Sequence, residues 1–218
     1  MPGRWTNRPK GSNWGDFGPD DELGRINLLT PERVREAARE IREGLTFCLS
    51  LPLDYPGGNL LNPRRKPPVL NPTMRDDGPV MNYPMDRVDP ANTDVVNDDR
   101  VLITLQYSSQ WDALSHVGAW FDADGDGEPE KVYYNGFRAG ADVVGPMDYD
   151  GEGAAGEGEP TGARALSVDN MAARPVQGRG VLVDLLRHFG RDRRMVGHAD
   201  LMGAMATVSR FFFFFRFF

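Results

Sequence analysis

The sequence predicts a mixed fold, α/β or α+β, because helical and extended signals interleave along one chain of 218 residues. Three segments carry that prediction: an amphipathic stretch at 31–41, the run VLITLQY at 101–107 and the run GVLVDLL at 180–186. Hydrophobic residues make up 40% and charged residues 26%, which suits a globular protein with one sizeable domain or two small ones. The 25 glycines and 17 prolines predict long irregular connections between few regular elements.

Residues 1–20 read as an arm rich in Gly, Pro and Trp, and they lack the apolar core of a signal peptide. The helix follows. Thr30 can cap it, and Pro31 suits its first position, where no amide donor is needed. Val34, Ala37, Ala38 and Ile41 then form one apolar stripe, and Gly44 supplies a stop. LTFCLSL (45–51) reads as a strand that buries Cys48. As the only cysteine, Cys48 excludes an intramolecular disulfide and a thiolate zinc cluster.

Residues 52–99 hold nine prolines without sustained periodicity, the pattern of a functional covering loop or a disordered one. VLITLQY then reads as a buried strand. Residues 121–166 are mostly glycine and acidic residues. A short helix is expected from Ser167 (SVDNMAAR), GVLVDLL as a second buried strand, and a last helix over HADLMGAMA (198–206). His188 reads as packing or helix-end charge, and His198, beside Asp200, as a helix start. Seven of the 12 phenylalanines crowd positions 211–218, where no helical or strand pattern accounts for them. That tail reads as a truncated or frame-shifted end, apart from a domain at 1–210.

The formal net charge is -7, and Arg64-Arg65-Lys66 and Arg191 to Arg194 lack interleaved aromatics, so nucleic acid is not an expected partner. No stretch reaches the ~20 apolar residues that span a bilayer. The expected setting is cytoplasmic, without a membrane.

Three segments could carry chemistry. In QYSSQWDALSH (106–116), a continued strand would set Gln106, Ser108, Gln110 and Asp112 on one face, with His116 just beyond. Amide oxygens and a carboxylate can ligate a metal, and histidine can move protons near neutral pH. In DADGDGEPEKVY (122–133), Asp122, Asp124, Asp126 and Gly127 match the first half of a calcium loop, but Tyr133 stands where the closing glutamate belongs. GEGAAG (151–156) matches a dinucleotide loop in form only, because Asp148, Asp150, Glu152 and Glu157 would repel phosphates.

QYSSQWDALSH resembles the signature H-x-G-T-H-x-D-x-P-x-H of the cyclase family, which includes kynurenine formamidases and isatin hydrolases. Asp112 and His116 match its aspartate and last histidine; Gln106 and Gln110 replace two histidines, and Leu114 the proline. The wording is similar to a branch that reads QxxSQWDALxHV followed by YNG, here Tyr134-Asn135-Gly136. Trp14-Gly15, Asp21 to Gly24, Asn27 to Glu32 and GRGVLVDL (178–185) also look like that branch. The resemblance implies an α/β swivelling β/β/α fold, incomplete at the C-terminus, because the family draws a further histidine and glutamate from beyond this point. It implies hydrolysis of an amide, cyclic amide or lactone, as in an arylformamidase, with His116 as general base. Zn or Mn would sit on Asp112, Gln110 and Gln106, bound weakly because amide oxygens are poorer ligands than imidazole. A small-molecule substrate and a homo-oligomer are likewise implied. The alternative is a non-catalytic homologue that binds a small ligand or a partner subunit; calcium on Asp122, Asp124 and Asp126 would make a third kind of module.

Overall fold

The computed structural model describes residues 3–60, 62–147, 149, 155, 156, 158–192 and 194–207, and the backbone of 212–216. The chain forms two compact units, one of Met1–Leu45 with Asp112–Phe218, the other Thr46–Trp111. Short helices are joined by two-stranded antiparallel ladders.

In the first unit, Thr30 accepts the Arg33 amide on its hydroxyl and Pro31 opens the helix Pro31–Ala38. The helix stops short of the expected Gly44. Only Ala37 is buried, and Ile41, the last member of the expected stripe, is 55% exposed. A short helix is held mainly by packing of its apolar face, and past Ala38 that face is largely exposed at Ile41. The strand Gln177–Val181 lies against this helix, with Leu29 Cδ2 close to Gly178 and Glu40 3.7 Å from Arg179.

The expected strand GVLVDLL is therefore shifted: extension ends at Val181, and Asp184 caps a new helix, Leu185–Phe189. The backbone of Phe212–Arg216 pairs antiparallel with Gln177–Val181, an extended element where the sequence offered no pattern. Helices Val168–Ala173 and His198–Ala206 form where expected. His188 sits in the last turn of its helix with Nδ1 3.2 Å from the Thr207 hydroxyl, and His198 opens its own.

Two apolar clusters hold this unit. Trp14, Ala123 and Val132 are joined by Trp5, Phe121 and Tyr134. Phe137, Ala165 and Leu166 are joined by Leu114, Tyr133 and Tyr134. The hairpin Ala119–Phe121 with Glu130–Val132 serves the first cluster, its Phe121 ring meeting Trp14 edge-on at 5.8 Å.

The second unit corrects the reading of 52–99 as a structureless loop. Val69–Pro72 pairs with Asp99–Leu102, Tyr83–Pro84 with Val95–Val96, and Met74–Arg75 with Gly78–Pro79. The last two pairings follow one another in sequence and both lie inside the first, so the proline-rich stretch folds back as antiparallel ribbons. Prolines 72, 79 and 84 sit at strand ends, where a missing amide donor is tolerated. VLITLQY is not a buried strand: Leu102 is 75% exposed, and Leu105–Tyr107 is a 3-10 turn. LTFCLSL forms no regular element and Cys48 is exposed, against the expected burial. A two-stranded ribbon has no second layer to cover an alternating apolar face.

Candidate functional site

The motifs at Trp14–Gly24 and Tyr134–Gly136 meet in one polar knot. Asn135 is fully buried at φ 58°. Its Nδ2 donates to the carbonyls of Gly18, Pro19 and Asp21 at 3.0, 3.0 and 3.2 Å, and its Oδ1 accepts the Gly15 amide at 2.9 Å. Asparagine tolerates this left-handed conformation better than most residues, and here its amide replaces water for buried backbone groups. Gly136 follows because a Cβ there would lie 2.7 Å from Trp5 Cδ1, at φ +73°.

Asp21 accepts the Gly24 amide at 2.7 Å, the Tyr134 hydroxyl at 2.8 Å and Asn27 Nδ2 at 2.5 Å. Burial first, then the hydrogen bond to Asp21, pushes the Tyr134 phenol well above the usual tyrosine range. Glu22 accepts the Leu166 amide at 2.7 Å and also a hydrogen bond from Asn170 Nδ2. These residues build the scaffold; the sequence carries them as motif matches but gives no sign of their partners.

QYSSQWDALSH is divided between the units after Trp111. Strand alternation does not order its side chains, because extension ends at Leu102 and Gln106 lies in the 3-10 turn. The Gln106 carbonyl accepts from Arg65 at 3.3 Å, and Gln110 is exposed. In the first unit, Asp112 and His116 face each other, with Oδ2 3.6 Å from Nε2. The intervening Leu114 packs on the Phe137–Ala165–Leu166 cluster, and the His116 amide closes a turn onto the Ala113 carbonyl at 3.0 Å. The Asp112 Oδ1 accepts the Ala113 amide at 3.2 Å. The pair is near the surface, His116 with 30% and Asp112 with 45% of its side chain exposed.

In the acidic hairpin tip, Asp122, Asp124 and Glu130 converge, each with an oxygen within 4.8 Å of the others. Asp126 instead accepts the Glu128 amide at 2.8 Å, and Asp122 accepts the amides of Gly125 and Gly127 at 2.7 and 3.2 Å. Arg138 brings its own positive charge there, 2.7 Å from Glu130 and 3.2 Å from Asp124. GEGAAG lies largely outside the described residues.

The donors of QYSSQWDALSH do not fit a resident Zn or Mn ion. The three ligand positions Asp112, Gln110 and Gln106 offer one carboxylate and two neutral amides, whereas these metals take imidazole and carboxylate. The one imidazole of the segment, His116, stands at the position read as the base.

No family profile matches the chain, and no curated protein matches it. A solved structure described as a novel cyclase is 33% identical, with a TM-score of 0.58 over 89% of this chain. That likeness supports the cyclase family. The chain spans 55% of the length of that cyclase. Among the described residues, no helix is long and apolar enough to cross a membrane.

Proposed function

We propose that this chain is a cyclase-family hydrolase on the swivelling β/β/α fold, acting on an amide, cyclic amide or lactone of a small molecule. The domain is residues 1–210, and the working form is a cytoplasmic homo-oligomer. The observation that carries the reading is the Asp112–His116 pair, 3.6 Å apart on a turn anchored by Leu114, together with the likeness to a cyclase. Asp112 engages Nε2 and leaves Nδ1 to take a proton from water. The water oxygen bonds to the carbonyl carbon, the C–N or C–O bond breaks, and His116 returns the proton to the departing nitrogen or oxygen. Asp112 holds the ring and stabilises its cationic form, as carboxylates do beside catalytic histidines.

The test is a hydrolysis assay of the whole chain on an aryl formamide, a cyclic amide and a lactone. His116→Ala is expected to lower turnover by about 10²–10⁴-fold, the usual contribution of a positioned base. Turnover that survives in His116→Ala removes the base assignment. Glutamines at positions 106 and 110 favour a second reading, a non-catalytic homologue that binds a small ligand. That reading gains if the parent hydrolyses none of the three substrate classes.

A further inference from the structure

Leu166 is the hinge between the N-terminal motif and the candidate pair. It is fully buried and holds φ at 63°, a conformation that a bulky side chain adopts only when its surroundings impose it. Both of its backbone polar groups are committed. Its amide donates to Glu22 Oε2 at 2.7 Å, and its carbonyl accepts the Ser115 amide at 3.3 Å. Its side chain belongs to the cluster on which Leu114 packs. Leu166 therefore grips the turn between Asp112 and His116 twice, once through Ser115 and once through Leu114. Glu22 in turn is braced by Asn170, from the helix Val168–Ala173.

We propose that Glu22 is a positioning residue for the Asp112–His116 pair, acting through the backbone of Leu166. A carboxylate bound to that amide fixes the left-handed turn, which aims the Leu166 carbonyl at Ser115. Without it, Leu166 relaxes toward an ordinary backbone conformation and the carbonyl swings away, so the turn loses its register. The glutamate of the DELG motif thus acts on a pair 90 residues further along the sequence (Glu22 to Asp112) without touching it. This inference rests on the reading of Asp112 and His116 as the working pair.

The experiment reads the His116 ring itself by NMR in the whole chain, which has three histidines, so His116→Gln assigns the signal. The probe is the shift of the His116 Cε1–H resonance when Asp112 is changed to Asn. Glu22→Gln keeps the length and an acceptor oxygen, and the shift is expected at its parental size. Glu22→Asp keeps the charge but loses the reach, and Glu22→Ala loses both; in each the shift is expected to collapse toward zero. Should Glu22→Ala fail to fold, the Asp and Gln variants decide. A parental shift in Glu22→Asp, or an equal loss in Glu22→Gln, overturns the inference. Because no turnover is measured, failure of the hydrolase reading and failure of this one are distinguishable.

Discussion

The N-terminal knot and the ribbon unit differ in how they bury their backbone. In the knot, Asn135, Asp21 and Glu22 each serve several backbone or side-chain groups, around clusters that contain Trp14 and Leu166. Among the described residues of Thr46–Trp111, only Val80 and Tyr83 are buried, and the ladders are two strands wide. The knot holds itself with long-range polar contacts centred on the fully buried Asn135, whereas the ribbons depend on pairing that water can reach. A buried hydrogen-bonding group is costly to remove because its partners stay behind unsatisfied, while an exposed one is replaced by solvent.

The largest expected effect comes from Asn135→Ala. It strands the carbonyls of Gly18, Pro19 and Asp21 and puts alanine at φ 58°. A loss of about 3 kcal/mol is expected, in the range of a broken buried network. Urea unfolding followed by tryptophan fluorescence measures it, and a loss below about 1 kcal/mol would mean that water satisfies the knot.

Acid and alkali should separate the two regions. The Tyr134 phenol is raised in the folded chain, so its contribution is complete below the ordinary tyrosine value and is lost as pH climbs past about 10. Asp77 behaves oppositely. Hydrogen bonds first from Arg87 and then from Tyr83 hold its carboxyl below the usual range, so its contribution is complete at neutral pH and fades as pH falls below about 4. Circular dichroism across pH should show a weaker alkaline limb in Tyr134→Phe and a slightly weaker acid limb in Asp77→Asn. The exposed Glu32 of the first unit, also lowered by hydrogen bonds, adds to the acid limb in both. If one variant moved both limbs, the two regions would not be independent.

The smallest effect is expected from Leu102→Thr. Leu102 is 75% exposed, and the change should stay within about 0.5 kcal/mol, as for other surface positions. A cost several times larger, read by the same urea titration, would mean that the ribbon face is covered in solution.

Local chemistry was legible in the sequence. Thr30 and Pro31 begin their helix as expected, and His198–Ala206 occupies the stretch foreseen for it, because caps and turns act over three or four residues. The approach of Asp112 to His116 was not legible, because the sequence suggested a continued strand where the chain instead turns. What only the tertiary structure decided is where apolar runs find cover and where buried polar groups find partners. Ile41, LTFCLSL and Leu102 have the right pattern for burial but stay largely exposed in the fold. Glu22 reaches Leu166 across 144 residues, and Asn135 reaches the arm across 114 to 120. Such contacts follow from packing and backbone geometry far apart in the chain, and no local pattern of residue types encodes them.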